Sequence, residues 1–154
     1  MNRLILLAFA LIFTGFSSYA QRTSKLSAAA WVDSVFKTLS QDEKIAQLMV
    51  IRGSSFDPKT RKPILYWQDT EAAIRKYNVG GICMFQGGPI SQAKFMNRMQ
   101  SIAKTPLLMC IDAENGLGMR MDSVIPLPRQ MMMGAMQDPE IVYDYGRLVG
   151  EQCK

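Results

Sequence analysis

Two short apolar segments with a helical segment between them constrain the fold of this chain most strongly. Residues Ile82 to Phe85 lie between glycines, and residues Leu107 to Ile111 follow a proline. Short apolar runs bounded by turn residues are typical of strands that are buried on both faces. Between them, Ser91 can cap a helix whose apolar positions continue to Ile102. The order of strand, loop and helix, repeated about every 25 residues, predicts an α/β fold with a parallel sheet.

The residues before this region predict two helices that meet at Ser40. From Leu26 to Leu39, apolar residues recur at the spacing of an amphipathic helix. Ser40 and Glu43 have the S-x-x-E pattern of a capping box, which predicts that a second helix begins there. The segment Gln47 to Ile51 continues that helix or forms a short strand.

A polar loop is expected from Phe56 to Pro63, and a third helix from Thr70 to Tyr77. Its predicted inward side chains are Ala72, Ala73, Ile74 and Tyr77. The sequence Asn78-Val79-Gly80-Gly81 is expected to end that helix.

Polar residues cluster directly after the second strand, in the sequence IDAENGLGMR. Asp112 and Glu114 are two positions apart, which places both carboxylates on one side if the extended conformation persists. Gly116 and Gly118 permit close backbone approach, and Arg120 offers a rigid fork of donors. A carboxylate and a guanidinium together suit a polyhydroxylated ligand. The alternative is a turn whose carboxylates only accept hydrogen bonds from local amides.

Other glycine-rich or methionine-rich segments are weaker candidates for a site. Gln86-Gly87-Gly88 follows the first strand and is expected to line the same edge, or to be only a turn. Met131-Met132-Met133 is expected to fill the core beneath the next helix. The phosphate-loop, dinucleotide and Gly-x-Ser-x-Gly patterns are missing. Because the chain has no histidine and no close pair of cysteines, the usual zinc patterns are missing too, and we expect no metal and no cofactor.

The N-terminal residues indicate export. A positive start at Arg3, an apolar run from Leu4 to Phe13 and small residues ending at Ala20 predict a signal peptide over residues 1–20. The apolar run is too short for the ~20 residues of a membrane span. We therefore expect residues 21–154 to act outside the cytoplasm, in the periplasm or extracellular space, without a membrane span.

Composition and charge indicate whether nucleic-acid binding and disulfide bonds are to be expected. The chain is 48% hydrophobic and 20% charged, as in an ordinary globular protein, and its +5 net charge is spread along the sequence. Because no recognition helix or aromatic-basic module accompanies the short basic group at Lys59 to Lys62, nucleic-acid binding is not expected. Cys83, Cys110 and Cys153 are an odd number, and two lie in strand-like runs, which predicts buried free thiols.

Four motifs together resemble the N-terminal region of family 3 glycoside hydrolases. They are LSQDEKIAQL from Leu39, GGICMF from Gly80, IDAENGLGMR from Ile111 and PRQMMMGA from Pro128. The resemblance covers residues 27 to 154 and implies a (β/α)₈ barrel, of which this chain would form the N-terminal part. The β-glucosidase branch usually has a histidine near the position of Glu114-Asn115, and this departure favours the β-N-acetylhexosaminidase branch, to which the resemblance is greatest.

The resemblance also implies roles for individual residues. Asp112 and Arg120 would bind the sugar in the −1 subsite, and Glu114 would orient Arg120 or the loop. The implied activity is hydrolysis of terminal β-linked N-acetylhexosamine with retention, on a glycan or a peptidoglycan fragment. The implied nucleophilic aspartate and histidine-aspartate pair match no residue here and are expected after Lys154, so this chain alone is expected to be inactive.

The length of the chain predicts an incomplete barrel, and two other functions remain open. A complete barrel takes about 250 residues, so the residues after Ala20 would form roughly half of one, incomplete as a domain. The rivals are a β-glucosidase or xylosidase specificity and a non-catalytic sugar-binding remnant.

Overall fold

A computed structural model describes residues 26–154 and divides the chain into two units, residues 1–34 and residues 35–154. The predicted signal peptide, residues 1–20, lies outside the described residues. Helix α1, Ala28–Thr38, begins in the first unit and ends in the second, which confirms the helix predicted there. From residue 26 onward, no helix has the length and apolarity needed to cross a membrane.

Helix α2, Gln41–Ala46, begins with the predicted capping box. The Ser40 Oγ accepts a hydrogen bond from the Glu43 N–H at 3.2 Å, and the Glu43 carboxylate accepts one from the Ser40 N–H at 2.8 Å. The helix ends at Ala46, and strand β1, Val50–Arg52, follows. Of the two alternatives for the segment up to Ile51, the strand is therefore the one that forms.

The segment expected to be a loop forms the turn of a β-hairpin. Strand β2, Ser54–Phe56, pairs antiparallel with strand β3, Pro63–Leu65. In the turn between them, the Asp57 Oδ1 accepts hydrogen bonds from the backbone N–H groups of Lys59 and Thr60. The predicted loop is confirmed for residues 57–62, and only its end residues, Phe56 and Pro63, belong to strands. The strands themselves were not predicted, because strands of three residues are too short to show a period of two.

The main sheet is parallel, as predicted. Strand β4, Gly81–Met84, lies between β1 and strand β5, Leu108–Ile111. Helix α3, Trp67–Tyr77, leads into β4, and helix α4, Pro89–Ile102, leads into β5. The α/β class is thus confirmed. Within residues 26–154 the parallel sheet contains three strands, so closure into a barrel stays a prediction.

The two faces of the sheet differ in what covers them. One face packs against α3 and α4 through a buried cluster that includes Ile82, Met84 and the fully buried Phe95. Alternation along the strands places the remaining side chains on the opposite face. They are Val50, Arg52, Cys83, Leu108 and Cys110. Strand β5 was predicted to be buried on both faces, but Leu108 is 64% exposed, because only the helical face is covered.

Some predicted side-chain environments in the helices were wrong. In α3, Ile74 is buried as expected and Ala73 is half-buried, but Ala72 is exposed and Tyr77 is 51% exposed. The covered stripe of α3 is completed instead by Thr70, which lies one turn before Ile74 and is buried. The helix ends at Asn78 in the left-handed conformation, as predicted.

Helix α4 begins two residues before the predicted cap. Gly88 is its N-cap and Pro89 its first residue. The Ser91 Oγ reaches back to the backbone of Gly88, accepting from its N–H at 3.1 Å and donating to its carbonyl at 2.8 Å. Ser91 therefore does contribute to capping, but from inside the first turn.

The C-terminal third contains a short 3₁₀ helix, Leu117–Met119, and helices α5, Gln130–Gly134, and α6, Pro139–Gln152. The methionine triplet falls in α5. Met133 is buried, but Met131 is 90% exposed and Met132 is also exposed, so the prediction of core filling holds for one residue of three. All three cysteines are free, but Cys110 and Cys153 are exposed and Cys83 is only half-buried, so the prediction of burial was wrong.

Candidate sugar-binding site at the edge of the parallel sheet

The carboxyl ends of the three parallel strands bring together residues that are far apart in sequence. Arg52 is the last residue of β1, Phe85 follows β4, and Asp112 follows β5. The Asp112 N–H donates to the Met84 carbonyl at 3.2 Å, so the strand pairing continues one step beyond β5. This edge is where α/β folds place their ligands.

Asp112 and Arg120 form a close ion pair at this edge. The Arg120 Nη2 lies 2.5 Å from the Asp112 Oδ2, and the Arg120 Nε donates to the Asp112 backbone carbonyl, also at 2.5 Å. The Arg120 side chain is 16% exposed and that of Asp112 39%. Two contacts with one residue fix the plane of the guanidinium, while the carboxylate keeps lone pairs that face solvent. The predicted pair is therefore assembled.

Glycines shape the loop that carries Arg120 back to Asp112. Gly116 has φ +83°, in the left-handed region that favours glycine. At Gly118, an added Cβ would lie 2.5 Å from the backbone N and Cα of Pro126. The returning segment can approach the 3₁₀ turn this closely only because residue 118 lacks a side chain. The expected close backbone approach is present at Gly118, whereas the nearest neighbours of Gly116 are side-chain atoms of Gln152 and Leu127.

The loop after β4 contacts the same arginine segment. The Gly87 N–H donates to the Arg120 carbonyl at 3.2 Å, so the Gln86-Gly87-Gly88 loop lines the site edge, as predicted. Immediately before it, the Phe85 N–H donates to the Ser54 Oγ at 2.8 Å, and the Phe85 carbonyl accepts from the Gln92 Nε2 at 3.0 Å. Ser54 and Gln92 are both buried, so the backbone of Phe85 is held from both sides.

The Phe85 ring contacts two arginines. The guanidinium carbons of Arg120 and Arg52 each lie 5.1 Å from the centroid of the ring. This distance is within the range of a cation–π interaction. The aromatic ring thus connects the Asp112–Arg120 pair to the end of β1.

Glu114 lies apart from this group. The exposed Glu114 lines a neighbouring cleft of about 630 Å³, whose lining includes Arg129 and Gln130 but neither Asp112 nor Arg120. Among residues 26–154, the ion pairs do not include Glu114. Its backbone carbonyl accepts a hydrogen bond from the Gln130 side chain. The structure therefore places Glu114 in the loop but does not bring its carboxylate to Arg120.

The sequence analysis missed Arg52 and Phe85, and the buried residues Ser54 and Gln92 that hold Phe85. Phe85 was assigned to the strand as one more apolar residue, and Arg52 had no neighbours in sequence that mark a site. What marks these residues is their position in the sheet: Arg52 is the last residue of β1, and Phe85 directly follows β4. The strand end at Arg52 was not predictable while Gln47 to Ile51 could still belong to a helix.

The assembled group is suited to recognise polar, uncharged groups of a ligand. Because Arg120 engages one oxygen of Asp112, this carboxylate is suited to accept hydrogen bonds from hydroxyl groups. Across residues 26–154, no cluster of three histidine, cysteine or acidic side chains could hold a metal ion. Hydroxyl groups are the main polar groups of sugars, so a carboxylate held in this way is chemically suited to a carbohydrate.

Two thiols lie beside this group and give a first test of its geometry. Cys83 and Cys110 are register partners on β4 and β5. Burial raises the pKa of the Cys83 thiol, and the neighbouring Cys110 raises it further. Because the thiolate is the reactive form, we expect iodoacetamide at pH 8 to alkylate Cys83 more slowly than the exposed Cys153, measured by peptide mass spectrometry. In Cys110→Ser, Cys83 should react faster. Equal rates for Cys83 and Cys153 in the unmodified chain would contradict the described environment.

Comparison with known proteins places the chain in a family. No curated protein matches it, but the family model of the glycosyl hydrolase family 3 N terminal domain matches residues 40–154. The matched range contains all three parallel strands and the whole Asp112–Arg120 group. The chain therefore belongs to glycosyl hydrolase family 3, a family of glycosidases whose substrates are carbohydrates.

Proposed function

We propose that the Asp112–Arg120 group binds the terminal β-linked N-acetylhexosamine residue of a glycan or peptidoglycan fragment, as part of a retaining glycosidase. The observation that carries this proposal is the ion pair itself, which presents a carboxylate beside the Phe85 ring at the carboxyl edge of a parallel sheet. The free oxygen of Asp112 accepts from sugar hydroxyls, and Arg120, which lies over the Phe85 ring, holds that carboxylate in place.

Support for the acetylated sugar comes from the motif rather than from the geometry. The glucosidase branch usually has a histidine near the position that Glu114-Asn115 occupies in this chain. In the structure the Asn115 side chain donates to the Leu127 carbonyl at 3.1 Å, so this residue serves to shape the loop. We further propose that β1, β4 and β5 are the first strands of a (β/α)₈ barrel and that the protein acts after export, in the periplasm or outside the cell.

A comparison of sugars tests this function. The Arg120 Nε–H is hydrogen-bonded to the Asp112 carbonyl, so its NMR signal reports directly on the site. Arg120→Lys identifies that signal by its disappearance. We expect N-acetylglucosamine to shift the signal at lower concentration than glucose or xylose does. Tighter binding of glucose or xylose would favour the glucosidase or xylosidase specificity instead.

Turnover is tested separately from binding. Nitrophenyl N-acetyl-β-glucosaminide and nitrophenyl β-glucoside are compared as substrates, for this chain and for the product of any longer reading frame that contains it. The proposal expects cleavage of the acetylated substrate wherever the nucleophilic aspartate is present. Binding without cleavage in every form would leave a sugar-binding module and contradict the enzymatic role.

A further inference from the structure

Arg52 is an unpaired cation on the site face of the sheet. It is exposed, and the ion pairs within residues 26–154 do not include it. The charge of Arg120 is balanced by Asp112, whereas that of Arg52 is not. The carboxylate of Asp69, which lines a shallow groove with Arg52, is also outside those pairs. Arg52 is therefore a cation outside the ion pairs of the described residues, and the Asp69 carboxylate lies in the groove beside it.

The backbone on both sides of Arg52 is fixed. At Gly53, an added Cβ would lie 2.6 Å from the Met84 Sδ and 2.7 Å from the Ile82 Cγ2, so residue 53 packs directly on the core. The Gly53 N–H donates to the Cys83 carbonyl at 2.8 Å. With its neighbour anchored in this way, Arg52 is directed to the opposite face, where it lies over the Phe85 ring.

The shared ring limits the distance between the two arginines. Since each guanidinium carbon is 5.1 Å from the same centroid, the two carbons lie no further apart than twice that distance. A sugar residue bound at Asp112 and Arg120 can therefore present one of its substituents to Arg52. Arginine is suited to this role because its planar fork matches a carboxylate or an ester of sulfate or phosphate.

We infer that Arg52 selects substrates whose sugar carries an anionic substituent. This inference rests on the proposed function, because it takes the Asp112–Arg120 pair as the place where the sugar ring binds. The bound anion would supply the ion-pair partner that Arg52 lacks within residues 26–154. Neutral N-acetylhexosamines would bind through the Asp112–Arg120 pair without this contribution.

The test compares three sugars that share the 2-acetamido group: N-acetylglucosamine, its 6-sulfate and N-acetylmuramic acid. Binding is followed by the Arg120 Nε–H signal at low and at high salt. We expect at least one of the two anionic sugars to bind about fivefold more tightly than the neutral one, as for a solvent-accessible charge pair. The sugar that does so identifies a sulfate or a carboxylate as the recognised group. High salt should remove this advantage.

Two variants assign the effect to Arg52. In Arg52→Met, the ratio of anionic to neutral affinity should fall to about one, the value expected without the charge pair. Arg61→Met is the matched control, because Arg61 lies 5.3 Å from the Phe56 ring, in the hairpin, and is also outside the ion pairs of the described chain. Its ratio should match that of the unmodified chain.

Three results would overturn the inference. If the unmodified chain binds all three sugars equally, Arg52 does not select anions, although the proposed function stands. If the anionic advantage persists in Arg52→Met, another group causes it. If none of the sugars shifts the Arg120 signal, the proposed function fails as well, and the inference fails with it.

Discussion

Asp112→Ala should weaken sugar binding by at least ~2 kcal/mol, which is about thirtyfold in the dissociation constant. The variant removes the acceptor that the proposed function assigns to the sugar hydroxyls. It also removes the partner of the Arg120 Nη2, 2.5 Å away, so the guanidinium loses part of what fixes its plane. Both effects act in the same direction. In any form that turns over substrate, the same loss should appear in kcat/KM.

A matched pair of residues separates this effect from a general loss of charge. Asp144 and Arg147 also form an ion pair, with Oδ1 and Nε 3.2 Å apart, but this pair lies on α6 and both side chains are exposed. Asp144→Ala should leave the dissociation constant for N-acetylglucosamine unchanged. Sugar affinity in Asp112→Ala equal to that of the unmodified chain would remove Asp112 from the site.

The conservative variant Asp112→Asn distinguishes the charge from the shape. The amide retains one acceptor oxygen, but it no longer forms a charge-assisted bond with Arg120. We expect its affinity to lie between those of the unmodified chain and Asp112→Ala. A melting temperature for each variant shows that the fold is retained.

The Asp112–Arg120 pair could be predicted from sequence because its information is local. An apolar strand, a carboxylate directly after it and two glycines before an arginine all lie within one short stretch, and Gly116 permits the left-handed turn that returns the chain. The parallel pairing of β4 and β5 was also predictable, since a helical segment separates these two apolar runs and a polar cluster follows each of them. These features depend on a few neighbouring residues and not on the rest of the fold.

What could not be predicted depends on contacts between distant segments. Arg52 becomes part of the site only because β1 pairs with β4 and places its last residue beside Phe85. Tyr77 was assigned to the core because helical spacing alone does not show where the covered stripe ends. Met131 is an apolar residue of the kind expected in the core, but Met133 is the buried member of the methionine triplet in α5. For each of these residues, the environment of the side chain depends on the segment that packs against it. The local sequence pattern does not show which segment that is.

Gly80 connects the end of α3 to β4. Among the described glycines, it is the one at which an added Cβ would lie closest to another atom. An added Cβ would lie 1.9 Å from the Gln47 carbonyl oxygen and 2.7 Å from its carbonyl carbon. The Gly80 N–H donates to the carbonyls of Ala46 and Met49, and the Gly80 carbonyl accepts from the Leu108 N–H at 2.9 Å. Gly80 therefore links the turn before β1, through its N–H, to the start of β5, through its carbonyl.

Gly80→Ala should lower the free energy of unfolding by about 3 kcal/mol or more, because the methyl group meets backbone atoms that cannot rotate away. Relief requires moving either the turn at Gln47 or the start of β4, and each movement breaks hydrogen bonds of Gly80. Urea unfolding followed by circular dichroism measures the change. Gly146→Ala is the control, since nothing lies within 4 Å of a Cβ there. Within α6, that variant should instead stabilise the chain by up to about 1 kcal/mol. A Gly80→Ala variant as stable as the unmodified chain would show that the turn and strand do not meet in this way.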